Sequence, residues 1–303
     1  MVPDFILIGA GRSGTTSLYH YLAQHPQIAM SQVKETNYFC WCVEGEAIDD
    51  VETAEVTYLV RSDADYTNQF SHALPTQLCG EASPRYLYAP GVAERIASDA
   101  PHARLIAILR NPIERAWSNW MGLRNAGAED RSFEQMIEAE IRSLERPLQP
   151  GERSILRAGM YHEHLSRYLE VVPRNRLLVL LFDDFKRAPG DVLASVFRFL
   201  EVDQSAVINV SVRFNPTGVP RNQFLDRITA KSPLTAALKT SLPTPIARPL
   251  YRTAMRLRAS NRARPDMSAQ ARTKLQELYR ADTEALEYFL GRDLSAWLGR
   301  SEG

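Results

Sequence analysis

Two short polar segments each follow an apolar run and contain residue types that bind phosphate. The first, residues 9–16, reads Gly-Ala-Gly-Arg-Ser-Gly-Thr-Thr and lies between an apolar run and a helical pattern. A glycine-rich turn in this position presents successive backbone N–H groups to an anion at the positive end of the helix. The alternative is a tight turn without a ligand. We predict an anion-binding loop that contains Arg12, Ser13, Gly14, Thr15 and Thr16.

The spacing of this loop imitates the phosphate loop of nucleotide triphosphatases but lacks its lysine. In that loop a lysine follows the second glycine, and here Thr15 takes its place. Triphosphate hydrolysis also needs a strand-terminal acid for magnesium, whereas the apolar run of residues 104–109 is followed by Arg110. The loop is therefore expected to hold a phosphate without hydrolysing a triphosphate. A nucleotide kinase or triphosphatase is kept as an alternative function.

Arg110 begins the second segment, which reads Arg-Asn-Pro-Ile-Glu-Arg-Ala-Trp-Ser and ends at Ser118. An arginine at the carboxyl end of a buried strand points into the crevice where open α/β sheets bind ligands. Ser118, two turns into the next helix, could offer its hydroxyl to the same anion, which suits a second phosphate. The alternative is an ion pair between Arg110 and Glu114.

Strand-like and helical patterns alternate along the chain. Apolar runs typical of buried parallel strands occupy residues 4–9, 104–109 and 176–182, with a weaker candidate at 77–81. Helical patterns follow at 15–24, 112–123 and 192–200, and a final helix is predicted from its N-cap Ser268 to Gly291. This alternation predicts an α/β fold. We expect a single domain over residues 1–303, with a central parallel sheet flanked by helices and a P-loop-like nucleotide-binding architecture.

Two segments, residues 31–74 and 225–264, show no sheet pattern. We interpret them as excursions from the sheet that form the acceptor side of the site or a lid over it. Residues 221–264 carry ten basic residues against one acid, which leaves a net charge of −9 on the rest of the chain. Such asymmetry can mark a docking surface for an anionic partner. A second alternative function is therefore a protein, catalytic or not, that makes peripheral membrane contact through residues 221–264. The simpler explanation of the charge is a solvated helical surface.

The composition excludes several classes of protein. The 303 residues contain 36 Lys+Arg and 36 Asp+Glu, and 45% are hydrophobic, as in ordinary globular proteins. The sequence contains no apolar run of roughly 18 residues, which argues against a transmembrane segment. The three cysteines are too few for a disulfide framework, and the N-terminus lacks the basic region of a secretory signal. We expect a cytoplasmic protein that has no nucleic-acid partner.

At its two phosphate segments the sequence resembles the sulfotransferases that use 3′-phosphoadenosine 5′-phosphosulfate (PAPS). Residues 11–18 resemble the 5′-phosphosulfate loop of this family, residues 110–118 resemble its 3′-phosphate motif, and weaker matches extend through nearly the whole chain. Lys34-Glu35 followed by an aromatic pair makes the resemblance closer to the heparan-sulfate type than to the cytosolic aryl and steroid type. Asn37 replaces a frequent histidine of those enzymes, so a glycan acceptor is not implied.

The resemblance implies sulfonate transfer from PAPS to a hydroxyl or amine of a small-molecule, glycan or lipid acceptor, with adenosine 3′,5′-bisphosphate as the product and no metal. Arg12 and the loop amides would neutralise the leaving phosphate, which the Thr15 and Thr16 hydroxyls would also bind. Arg110 and Ser118 would hold the 3′-phosphate. Arg221 resembles a basic loop late in the chain that closes over the same 3′-phosphate. Tyr161 is expected to pack either near the adenine of the donor or in the protein core.

Glu35 stands where the heparan-sulfate enzymes place their catalytic glutamate, so the resemblance implies that it is the general base. Such a base must come within about 2.6–3.2 Å of the acceptor proton. The alternative for Glu35 is an ion pair with a nearby arginine. Glu81 is the second candidate base, and its alternative is to orient Arg12 or a backbone loop.

Overall fold

The fold is built on a five-stranded parallel sheet with the strand order β2-β3-β1-β4-β5. The computed structural model describes residues 3–44, 60–149, 151–211 and 265–300, with only the backbone at 219–220 and 262–263. The sheet strands are β1 (Phe5–Gly9), β2 (Ile28–Met30), β3 (Leu78–Ala82), β4 (Arg104–Leu109) and β5 (Leu177–Leu181). A separate antiparallel pair is formed by β6 (Val219–Pro220) and β7 (Arg262–Ala263).

Helices connect the strands and cover the sheet. In the described ranges they are α1 (Thr15–Leu22), α2 (Tyr38–Glu44), α3 (Asp63–Asn68), α4 (Val92–Asp99), α5 (Pro112–Ala126), α6 (Phe133–Ser143), α7 (Tyr161–Val171), α8 (Phe182–Arg187), α9 (Pro189–Leu200) and α10 (Ala269–Leu290). A 3-10 turn (Pro84–Leu87) follows β3 directly. Ser268 accepts a hydrogen bond from the Ala271 amide, and Gly291 ends α10 in the left-handed conformation, so both predicted ends of this helix are confirmed.

The two faces of the sheet are buried under different helices. Phe5 and Leu7 of β1 pack in an apolar cluster with α1 and α9, whereas Ile6 and Ile8 pack in another with α4 and α7. Burial on both faces explains why the strands are continuous apolar runs rather than alternating ones. The predicted parallel sheet with helices on both sides is therefore confirmed.

The strand order places the predicted site segments at one edge of the sheet. Because all five strands are parallel, the residues that follow β1, β2 and β4 leave from the same edge. The chain places β3 and β2 on one side of β1, and β4 and β5 on the other. Open α/β sheets bind ligands at such a switch of direction, outside the carboxyl ends of the strands.

Several predictions concern residues whose structure is only partly described. Residues 31–74 include β2's exit, α2 and α3, but residues 45–59 lie outside the described ranges. Arg221 and most of residues 225–264 also lie outside them, so their predicted roles stay predictions. Within the described ranges, no helix combines the length and the apolar character needed to cross a bilayer.

Candidate active site

The glycine-rich loop turns from β1 into α1 as predicted. Gly14 is the N-cap of α1 with a left-handed φ of 91°, and a Cβ at this position would come 3.1 Å from the ring of Phe182. Glycine therefore suits the position both in conformation and in space. Among the described side chains, none caps α1. The first amides of a helix have no intrahelical acceptor, so this end of α1 suits an anion.

Ser13 offers a further polar group inside the loop. Its hydroxyl is fully buried and has no hydrogen-bond partner among the described residues. The neighbouring Tyr161 phenol lies close enough to interact with the Ser13 hydroxyl but not in normal hydrogen-bond geometry, and it donates its own proton to the Arg110 carbonyl, 2.8 Å away. A buried hydroxyl without a partner is unfavourable. A phosphate oxygen in the loop would supply the acceptor that Ser13 lacks.

Arg110 lies against the backbone of this loop. Its Nη1 donates to the main-chain oxygen of Arg12 at 3.1 Å, and its guanidinium carbon lies 5.1 Å from the ring centre of Phe182. The predicted alternative partner, Glu114, is 3.9 Å away and also pairs with Arg272 at 3.1 Å. Arg110 therefore keeps a contact with the loop as well as a long ion pair at the start of α5.

The side chain of Arg12 leaves its own loop and lies on α5. Its Nε donates to Asn119 Oδ1 at 3.3 Å. A Cβ at position 122 would be 1.9 Å from the Arg12 guanidinium, so Gly122 makes the room that Arg12 occupies. Ser118, which precedes Asn119, is buried. The two segments predicted to bind phosphate thus touch twice, through Arg110 on the loop and through Arg12 on the helix that carries Ser118.

Tyr161 supports this contact from the core. Its side chain is 1% exposed, and its ring packs edge-on against Trp297. Burial raises the pKa of the phenol, and the charge of Arg115 partly offsets that rise. The hydroxyl stays protonated and holds the Arg110 carbonyl. The ring thus occupies the core, as in the second alternative for Tyr161, and its hydroxyl positions the Arg110 backbone.

Glu35 leaves the sheet after β2, at the same edge. It adopts a left-handed φ of 65°, and its amide donates to the Ala82 oxygen at 2.9 Å. Its carboxylate pairs with the adjacent Lys34 rather than with an arginine, and the side chain is 37% exposed. Lys34 also faces His20: burial lowers the pKa of His20, and the charge of Lys34 lowers it further. The Glu35 carboxylate is therefore open to a ligand and has a cation beside it.

Glu81 lies beneath the Glu35 segment and is fully buried. Its Oε2 accepts hydrogen bonds from the hydroxyls of Thr36 and Ser83. Burial raises the pKa of Glu81 to about 7, and the hydrogen bond from Thr36 opposes that rise. A carboxyl with no exposed surface cannot touch an acceptor. The structure therefore favours the alternative in which Glu81 orients a backbone loop.

Sequence reasoning missed the partners that connect these segments. Asn119, Gly122 and Thr36 carried no motif of their own, because each acts through a contact between distant parts of the chain. In the described part of the chain, no three His, Cys, Asp or Glu side chains form a group that could hold a metal ion.

Comparison with known proteins agrees with the motifs. Residues 2–216 match the family model described as the sulfotransferase domain. A bifunctional heparan sulfate N-deacetylase/N-sulfotransferase of Drosophila melanogaster is 28% identical over 220 residues, covering 66% of this chain and 20% of the relative. A membrane-associated sulfotransferase of Dictyostelium discoideum is 32% identical over 158 residues, covering 50% of this chain and 31% of the relative. The chain thus spans less than a third of the length of these curated relatives.

A solved structure extends the similarity to the whole chain. The crystal structure of a sulfotransferase from Alicyclobacillus acidocaldarius is 26% identical, with a TM-score of 0.73, and the match covers 98% of this chain and 99% of that one. The P-loop-like architecture predicted from the sequence is therefore confirmed. Since the family model spans well over half of the chain, this protein belongs to the sulfotransferase family, with its similarity directed toward the heparan-sulfate type.

Proposed function

We propose that this protein transfers a sulfonate group from PAPS to a hydroxyl or amine, with Glu35 as the general base. The observation that carries the proposal is the order of the site segments along the sheet edge. The Glu35 segment follows β2, the phosphate loop follows β1, and Arg110 follows β4. Because the Glu35 amide is bonded to the end of β3, the backbones of Glu35 and Arg110 flank the loop two strands apart, about 10 Å at the usual strand spacing.

This order fits a nucleotide that carries phosphate at both ends of its ribose. Arg110 and Ser118 would hold the 3′-phosphate beside β4. The amides at the start of α1 and the Thr15 and Thr16 hydroxyls would hold the 5′-phosphate. The sulfonate would then project from the loop toward β3 and β2, where the Glu35 carboxylate is exposed.

The transfer step is a displacement at sulfur. The acceptor oxygen or nitrogen attacks the sulfur, and the bond between sulfur and the bridging oxygen of the 5′-phosphate breaks. That oxygen keeps the electron pair, and adenosine 3′,5′-bisphosphate leaves, while Glu35 accepts the proton of the attacking group. The loop amides stabilise the charge that grows on the leaving phosphate, and Arg12 adds its positive charge from its position on α5 beside the loop. The protein gains rate mainly by alignment and by these fixed charges.

The acceptor is proposed from the relatives, several of which are named as heparan sulfate N-sulfotransferases. We propose an amine or hydroxyl on a glycan as the first class to test, followed by lipids and small molecules. A screen with radiolabelled donor would include N-desulfated heparan sulfate chains beside simple alcohols, phenols and lipids. Transfer to none of these acceptors would contradict the proposed activity.

Ligand affinity tests the donor independently of the acceptor. Titration calorimetry in the presence of a chelator is expected to show binding of adenosine 3′,5′-bisphosphate at least tenfold tighter than binding of ATP, because ATP has no 3′-phosphate for Arg110. ATP binding that needs magnesium and equals the affinity for the bisphosphate would instead favour a kinase or triphosphatase.

Gly122→Ala tests the position of Arg12. The added Cβ would overlap the Arg12 guanidinium and displace it from α5. Because a helical alanine is more favourable than glycine and the Arg12 side chain is flexible, we expect no loss of melting temperature. Turnover should fall about 10- to 100-fold, the scale of a misplaced catalytic group.

Gly190→Ala in α9 is the matched control, because a Cβ there meets nothing within 4 Å. Its turnover and melting temperature should equal or exceed those of the unchanged protein. Normal turnover in Gly122→Ala would show that the contact between Arg12 and α5 has no part in catalysis.

A further inference from the structure

Residues 35–37 are joined to residues 81–83, at the end of β3, by a set of hydrogen bonds that we name the clasp. The Glu35 amide donates to the Ala82 oxygen at 2.9 Å, and the Asn37 amide donates to Ser83 Oγ at 3.1 Å. Between them, the Thr36 hydroxyl donates to Glu81 Oε2. The clasp thus fixes three consecutive residues, of which the first is the proposed base.

The conformation of these residues explains why a clasp is needed. Glu35 and Asn37 both have positive φ values, 65° and 50°, although neither is glycine. Such conformations are uncommon for residues with a Cβ and persist where the surroundings impose them. Thr36 lies between the two, and its side chain is fully buried. The most deeply buried side chain of the three therefore sits at the centre of the strained segment.

The surroundings of Glu81 favour the hydrogen bond that its carboxyl accepts from the Thr36 hydroxyl. The carboxyl is fully buried, and the groups that face it are hydroxyls of Thr36, Ser83, Tyr66 of α3 and Tyr86 of the 3-10 turn, with Tyr168 of α7 further away. Tyr86 also accepts a hydrogen bond from the Phe39 amide at the start of α2. Glu81 is thus the common acceptor for elements that surround the Glu35 segment.

We propose that Glu81 and Thr36 are positioning residues that hold the Glu35 carboxylate in place for proton transfer. Neither residue touches the acceptor. Glu81 fixes the Thr36 hydroxyl, Thr36 fixes the backbone between two left-handed residues, and that backbone sets the direction of the Glu35 side chain. The inference rests on the proposed function, because it takes Glu35 as the base.

The test compares Thr36→Val with Thr36→Ser. Valine has nearly the shape of threonine but cannot donate to Glu81, whereas serine keeps the hydroxyl. We expect kcat of Thr36→Val to fall at least tenfold, with the affinity for adenosine 3′,5′-bisphosphate within twofold of the unchanged protein, because the donor site is formed by β1 and β4. Thr36→Ser should recover most of the lost kcat. Equal kcat values in the two variants would overturn the proposal.

A double-mutant cycle separates positioning from general damage to the fold. In a Glu35→Gln background, Thr36→Val should cause no further loss of turnover, since the group that it positions has already been removed. A full additional tenfold loss in that background would overturn the proposal. Normal turnover in Glu35→Gln alone would contradict the assignment of Glu35 as the base. An inactive Glu35→Gln together with normal turnover in Thr36→Val would contradict only the role assigned to the clasp.

A structural readout needs no acceptor and includes the second residue. Crystal structures of Thr36→Val and Glu81→Gln are expected to show the Glu35 carboxylate displaced by more than 1 Å, about the misplacement that impairs catalysis, with the loop of residues 10–14 unmoved. A Glu35 carboxylate in the same place in both variants would contradict the role assigned to the clasp.

Discussion

Glu35→Gln is expected to remove most of the turnover while leaving the affinity for adenosine 3′,5′-bisphosphate unchanged. Glutamine keeps the size of the side chain but cannot accept the acceptor proton, and a positioned general base is worth roughly 10²–10⁴-fold in rate. Because Glu35 follows β2 and the donor contacts follow β1 and β4, donor binding should not sense the change. Initial rates with labelled PAPS and calorimetry with the bisphosphate measure the two quantities.

Glu201→Gln provides the control for a carboxylate paired with a basic residue. Glu201 pairs with Arg104, which begins β4 at the opposite edge of the sheet, and its side chain is 75% exposed. Its replacement should leave turnover within twofold of the unchanged protein. Near-normal turnover in Glu35→Gln, or an equal loss in both variants, would remove Glu35 from the role of base.

Arg110→Ala is expected to weaken binding of the donor and of its bisphosphate product by about 1.5–3 kcal/mol, the scale of a hydrogen bond to a charged group. This corresponds to a loss of affinity of roughly 10- to 150-fold. The cause is the lost guanidinium beside the proposed 3′-phosphate, together with the lost contact to the Arg12 carbonyl. Calorimetry with the bisphosphate measures the change directly.

Two comparisons make the interpretation of Arg110→Ala specific. Adenosine 5′-phosphosulfate lacks the 3′-phosphate, so its affinity should change much less than that of the bisphosphate; an equal loss for both ligands would contradict the assignment. Arg104→Ala removes an arginine from the other end of the same strand. Because its surface ion pair with Glu201 lies far from the loop, bisphosphate affinity should stay within twofold of the unchanged protein.

The sequence predicts those elements of the fold whose signals are local. The strand at residues 104–109 has the predicted bounds, and Ser268 and Gly291 delimit α10 because a cap and a left-handed glycine act within one turn of the helix. The three-residue strand β2 was missed, since so short a strand has no readable period. Helices α2 and α3 were also missed; Tyr38 and Phe39 of α2 and Tyr66 of α3 are buried by packing on one another, with Phe39 also against Tyr86 of the 3-10 turn.

The candidate site likewise has parts that the sequence predicts and parts that it does not. The glycine-rich loop and Arg110 follow strands that the sequence reveals, so their meeting at one sheet edge could be predicted. The direction of the Arg12 side chain could not, because it depends on the missing side chain of Gly122 more than a hundred residues later. The burial of Glu81 likewise depends on tyrosines from separate elements, whose meeting no local pattern records.

The strand order has a consequence for how acceptor preference could diverge among relatives. The proposed general base lies on the half of the sheet made by β2 and β3, and the proposed nucleotide contacts lie on the half made by β1 and β4, with the boundary at the β1–β3 ladder. Residues 28–82 could therefore be exchanged as a cassette between homologues. The acceptor specificity could change in this way while the residues proposed to bind the nucleotide stay the same.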